Sequence, residues 1–356
     1  MLRFLSAVAA MLAVLAGAAA HAGPVGERHL IAHNPTAALR DAQHSDAVRV
    51  TVWYPAAAGS QEARIDIGPP GAPLFIVGAV AADAPFADAA RRPVILFSHG
   101  YGGTARIMAW FGTALARAGY VVVAVDHPGN NGLDKMTIPG SSMFWDRPGD
   151  LAAALAAVKA DAAIAPHLDL ARLGVAGFSA GGFTAIASTG VRVDVRRFRA
   201  FCEANPTDGI CMPQKEFAVT PAQIDAAMAA PEMAAEVARS GDDHGVPGVR
   251  AAFAIAPALV QAFVPQSLSA DQTPIAIILG DADPVAPPAT NGLVAARLLP
   301  HAELKVLPGV AHYDFLATCT AAGVAQIPVC ADKVPQDPTH QAAIDMALAF
   351  FARTLK

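Results

Sequence analysis

The chain has 356 residues, 54% of them hydrophobic and only 15% charged, with a formal net charge of −5. Such a chain can bury a large core but offers no polycationic surface, which argues against nucleic acid as a partner. The apolar excess is mostly alanine, spread in amphipathic and buried patterns rather than in repeated membrane-length runs.

One segment carries a membrane signal. Met1-Leu2-Arg3 is a short basic start, Phe4 to Ala19 is apolar, and Ala20-His21-Ala22 supplies a small-x-small cleavage pattern, so residues 1–22 read as a cleaved secretory signal. The alternative is an uncleaved N-terminal anchor, for which the stretch is short. No cysteine follows it, so lipid anchoring is not suggested. The mature chain, 23–356, is then expected outside the cytoplasm, secreted or periplasmic, with no stable membrane span. There Cys202, Cys211, Cys319 and Cys330 meet an oxidising compartment. Four cysteines permit three pairings; Cys202 with Cys211 and Cys319 with Cys330 are the simplest, each closing a short loop containing Pro or Gly. The alternative is four buried thiols, and a metal site lacks C-x-x-C or nearby histidine spacing.

Along the chain, 47–54 alternates and is rich in β-branched residues until Pro55, as expected of an antiparallel or edge strand. The runs 93–97, 121–125, 173–178, 251–255, 274–279 and 303–307 do not alternate and read as strands mostly buried on both faces, as in a parallel sheet. Helical stretches lie between most of them, at 107–118, 149–163, 180–189 and 288–299, and 339–355 closes the chain. This alternation predicts a doubly wound α/β sheet in one domain. The region 191–250 breaks the rhythm with Arg196-Arg197-Phe198-Arg199, two cysteines, several prolines and a helix-like 221–239. It reads as a cap-like insertion overhanging the site; a disordered loop is the alternative.

Gly177-Phe178-Ser179-Ala180-Gly181 sits where a strand turns into a helix, the setting of a nucleophile elbow. A serine hydroxyl needs a base to take its proton. His312 follows the strand ending at Leu307 and is placed for that role. An acid must steady the imidazolium, and the strand-end run Gly280-Asp281-Ala282-Asp283-Pro284 offers two. Asp283 is preferred because Pro284 and Pro287 stiffen the loop after it, whereas Asp281 sits against a glycine turn. An oxyanion at the attacked carbon needs pre-aimed donors. The backbone N–H groups of Ala180 and of Tyr101, in His99-Gly100-Tyr101-Gly102-Gly103, are the candidates, with His99 orienting the loop. Asp126-His127-Pro128-Gly129-Asn130-Asn131 is another strand-end loop, and His127 and Asn130 are expected to line the pocket unless the loop is a turn held by its own side chains.

The order Ser179, Asp283, His312 is that of α/β-hydrolases. With Val52-Trp53-Tyr54-Pro55, Phe97 to Gly103, Asp126 to Asn130 and the 177–182 elbow, most of the mature chain resembles the exported α/β-hydrolases known as predicted dienelactone hydrolases, related to platelet-activating-factor acetylhydrolases. The resemblance implies an α/β-hydrolase fold and ester hydrolysis through an acyl-serine, with no cofactor or metal and a small-molecule or lipid-like ester as substrate. True dienelactone hydrolases carry cysteine at the nucleophile, so Ser179 points to a general esterase or lipase-like activity. Acyl transfer and peptide hydrolysis use the same triad, and a non-catalytic binding protein on this fold is a further alternative.

Overall fold

A computed structural model describes residues 23–330 and 335–356; the expected signal, 1–22, lies outside them. Eleven strands among the described residues form one mixed sheet: β1 (Val25–His33), β2 (Ala47–Pro55), β3 (Ala63–Ile67), β4 (Phe75–Ala82), β5 (Arg92–Ser98), β6 (Val121–Asp126), β7 (Leu168–Phe178), β8 (Val249–Ile255), β9 (Ile275–Gly280), β10 (Ala302–Leu307) and β11 (Thr318–Cys319). The order is β10-β9-β8-β7-β5-β6-β2-β1-β4-β11, with β3 paired to β4. Strands β5 to β10 run parallel where they pair, and β2 is antiparallel to both β1 and β6.

The apolar runs explain the parallel half. Within β5 and β6, Val94, Leu96, Val121 and Val123 point into one apolar cluster, while Ile95, Phe97, Val122 and Ala124 point into another. Successive side chains of a strand face opposite ways, so two buried faces demand unbroken hydrophobicity. Helices Arg147–Ala160 and Ala180–Ala187 pack on the first face, and Ala109–Arg117 and Gln336–Thr354 on the second. This is the doubly wound, mostly parallel sheet of an α/β-hydrolase.

Several expectations need correction. β2 is antiparallel, as one of the two expectations had it, but it is not an edge strand, because the unforeseen β1 covers its outer side over its whole length. β3, β4 and β11 also extend the sheet beyond the expected strands. β10 is not buried on both faces: it is the edge, with β9 as its neighbour, and Leu304 and Val306 are exposed. The 191–250 region holds helices Val195–Ala204, Pro221–Met228 and Pro231–Arg239, and its last two residues already belong to β8.

Chain order reverses at β5, which has β6 on one side and β7 on the other. Loops leaving the C-terminal ends of such neighbouring strands part and open a crevice. The loop after β5 carries Tyr101, and the turn after β7 carries Ser179.

Candidate active site

Ser179 stands between β7 and the helix Ala180–Ala187 with φ 57° and ψ −118°. A non-glycine residue in this region is strained and persists only where its surroundings enforce it. They do so here: its N–H donates to Ile255 O at 2.8 Å, and its carbonyl accepts the N–H of Phe183 at 3.1 Å and of Ala258 at 3.2 Å. The flanking glycines are steric necessities, since a Cβ on Gly177 would lie 2.1 Å from Gly181 O and one on Gly181 would lie 1.9 Å from Ser98 O.

The structure brings Ser179, His312 and Asp283 together from three separate loops. Ser179 Oγ is 2.8 Å from His312 Nε2, and His312 Nδ1 is 2.6 Å from Asp283 Oδ2. The other oxygen of Asp283 accepts the N–H groups of Val285 at 2.9 Å and Ala286 at 2.8 Å, which fixes the carboxylate. Asp281 instead accepts the Gly309 N–H at 2.6 Å and braces the loop leading to His312. Asp314 does the same at the other end by accepting the Ala311 N–H at 2.7 Å.

Ser179 and His312 open onto a cavity of about 630 Å³ bounded by Tyr101, Phe178, Tyr313, Leu316 and Val329. Gln214, Lys215 and Glu216 form part of its wall. Two phenols fasten this 214–217 strap: Tyr313 donates to Glu216 Oε1 at 2.9 Å, and Tyr101 donates to Phe217 O at 3.1 Å. Burial, with the Glu216 carboxylate beside it, pushes the Tyr313 pKa far up, so the phenol keeps its proton and stays a donor. Cys202 is bonded to Cys211 at the base of the strap, and Cys319 to Cys330 next to Val329.

His127 and Asn130 do not line the cavity. Asn130 is buried, accepting the Gly102 N–H at 2.8 Å and donating to Gly140 O at 3.2 Å, so it supports the Tyr101 loop from behind. His127 belongs to a buried polar cluster that composition and spacing did not signal. Its Nδ1 is 2.8 Å from Asp150 Oδ2 and its Nε2 is 2.8 Å from Ser98 Oγ. Asp150 in turn accepts Arg40 at 2.8 and 2.7 Å and Asn34 at 2.7 Å. Arg147 donates to Ser98 Oγ at 3.3 Å, to Thr184 Oγ1 at 3.1 Å and to His99 O. Burial, reinforced by Arg147, lowers the His127 pKa to about 3, leaving the ring neutral. Although burial opposes its charge, Asp150 is held below the ordinary carboxylate range by Arg40. Burial also pulls Arg147 down to about 9, still cationic at neutral pH.

Residues 89–316 match the family model described as serine aminopeptidase, S33. A solved ferulic acid esterase from Streptomyces cinnamoneus shares the fold at a TM-score of 0.59, with 18% identity over 95% of this chain and 92% of that one. No curated protein matches the sequence. The closer kinship to dienelactone hydrolases and platelet-activating-factor acetylhydrolases finds no support among these matches, which stop at the broader level of α/β-hydrolases.

Proposed function

Because the chain belongs to the serine aminopeptidase S33 family of α/β-hydrolases, we propose that it is an exported serine hydrolase of carboxylic esters. Ser179 attacks the acyl carbon while His312 Nε2 takes the hydroxyl proton, and Asp283 holds the ring and stabilises the imidazolium. The oxyanion is received by the backbone N–H groups of Tyr101 and Ala180. His312 then protonates the departing alcohol, and a water activated by the same ring releases the acid and restores Ser179.

The observation that carries this reading is the unbroken contact from Ser179 Oγ to His312 at 2.8 Å and on to Asp283 at 2.6 Å, open to a cavity. Much of the wall is apolar, with Phe178, Leu316, Val329 and two tyrosines beside the charged Asp66, Arg106, Lys215 and Glu216, and the apolar part suits an acyl or aryl group. The ferulic acid esterase likeness is consistent with an ester. The strap and the 191–250 insertion from which it comes form a cap that sets substrate size. Export is supported by the two disulfides, which persist in an oxidising compartment.

The family description favours one rival, an aminopeptidase. Purified protein and Ser179→Ala should be assayed on p-nitrophenyl esters of increasing acyl length beside aminoacyl p-nitroanilides. Serine-dependent cleavage of the esters with the anilides untouched is expected, and the reverse preference would replace the esterase reading.

A further inference from the structure

The loop after β5 holds a second level of organisation, which rests on the esterase reading because it concerns the donor to the oxyanion. His99 is buried; its Nε2 lies 3.1 Å from the main-chain N of His127, and its Nδ1 lies 2.6 Å from Gly100 O. A main-chain N–H can only donate, so Nε2 is the bare nitrogen and the ring proton sits on Nδ1, where it donates to the Gly100 carbonyl. Burial, with His127 and Arg147 close by, keeps the ring neutral.

The Gly100 carbonyl and the Tyr101 N–H belong to one planar trans peptide, in which C=O and N–H point in opposite directions. Holding the carbonyl therefore aims the N–H. Gly103 N–H adds a second bond to Gly100 O at 3.2 Å, and Arg147 fixes the carbonyl one peptide earlier. The His127 main chain is itself anchored, because its ring is gripped by Asp150 and Ser98, and Asp150 is gripped by Arg40 and Asn34. Arg40 and Asn34 lie outside residues 89–316, the stretch that matches the family model.

We propose that His99, kept as its Nδ1–H tautomer by the main chain of His127, is a positioning residue that aims the Tyr101 N–H at the oxyanion, and that the Arg40–Asp150–His127 chain anchors it. The residue acts through a peptide plane and never touches substrate.

The test uses the full chain with p-nitrophenyl butyrate, and two variants: His99→Phe, which keeps a ring without a donor, and His99→Asn, whose amide nitrogen can stand near the Nδ1 position. His99→Phe is expected to lower kcat roughly 100-fold with KM changed less than about threefold, as loss of one oxyanion donor does. It should weaken an alkyl trifluoromethyl ketone, which forms an oxyanionic adduct on Ser179, by the same factor, and His99→Asn should regain about tenfold of both. A His99→Phe enzyme with unchanged kcat, or one that loses kcat while the ketone binds as before, overturns the proposal. Should His99→Phe not fold, the imidazole ¹⁵N resonances of the wild-type protein decide: a non-titrating Nδ1–H ring at His99 between about pH 5 and 8 supports it, and an Nε2–H ring overturns it. A fluorophosphonate that fails to label wild-type Ser179 defeats the esterase reading and this inference together. Normal labelling with indifferent His99 variants defeats the inference alone.

Discussion

Among the described residues two serine–histidine–aspartate chains stand out, and they differ in surroundings far more than in contacts. Ser179, His312 and Asp283 are linked at 2.8 and 2.6 Å; Ser98, His127 and Asp150 are linked at 2.8 and 2.8 Å. The first serine sits on a strained turn at a cavity. The second lies at the end of a sheet strand with no exposed surface, its hydroxyl approached by Arg147, and its aspartate is neutralised by Arg40. Since Asp150 is ionised and the His127 ring is neutral, Nδ1 of that ring carries its proton and Ser98 must donate to Nε2. That ring can take no further proton cheaply between two guanidinium groups. Contact geometry alone therefore does not make a nucleophile; on the function proposed above, access to a cavity separates the Ser179 chain from the buried Ser98 chain.

The contrast breaks first at the serines. Ser179→Ala should lower kcat for a p-nitrophenyl ester by roughly 10⁴-fold or more, and fluorophosphonate labelling followed by peptide mapping should find no modified serine in that variant. Label on Ser98 would erase the distinction. At the aspartates the two chains should fail in different currencies. Asp283→Asn is expected to lower kcat by about 10⁴-fold through the wrong histidine tautomer while leaving the melting temperature near wild type. Asp150→Asn should instead cost about 3–5 kcal/mol of stability in urea unfolding, because Arg40 is left buried without its anion. Comparable kinetic and stability losses in both variants would remove the division of labour.

The pH dependence of stability sharpens the same point. His99 and His127 are held neutral below their ordinary range, so on acidification the unfolded chain binds protons before the folded one does. Stability from these rings is complete above about pH 6.5 and drains as pH falls toward about 3, where His127 titrates. Asp150, also lowered, acts in the same direction at the acid end. Thermal melts between about pH 7 and 4 should fall more steeply for the wild type than for His99→Asn, which lacks one of the two rings; parallel slopes would show that His99 contributes nothing to the linkage. Smallest of all is Ser98→Ala, expected to cost about 1–3 kcal/mol in urea unfolding for the unpaired His127 nitrogen.

Much of this architecture is legible from residues alone, for identifiable reasons. The central strands announce themselves because burial on both faces requires continuous apolar runs, and the 177–181 turn because only glycine fits where Gly177 and Gly181 meet backbone. β1 stays hidden because Glu27, Arg28, His29 and His33 interrupt its pattern; Glu27 is buried nonetheless, accepting the Trp53 indole N–H at 2.8 Å. His127 and Asn130 are recognisable as strand-end residues, but whether such a side chain faces the cavity or the back of its wall depends on the helix packed behind it. Asp150 gives no sign of its part, since its partners Arg40 and Asn34 lie 110 and 116 residues away. The strap is equally opaque, because the two phenol bonds that hold it span 97 and 116 residues.

Those long spans bear on when the molecule becomes functional during its own synthesis. Ser179 and His312 are separated by 133 residues, so a chain growing from its N-terminus presents the elbow well before the ring that would activate it. A polypeptide that ends before residue 312 therefore lacks the ring that meets Ser179, and the Ser179–His312 contact closes only when the C-terminal third has docked. Such non-local closure slows folding, so the candidate site is among the last parts of the molecule to form.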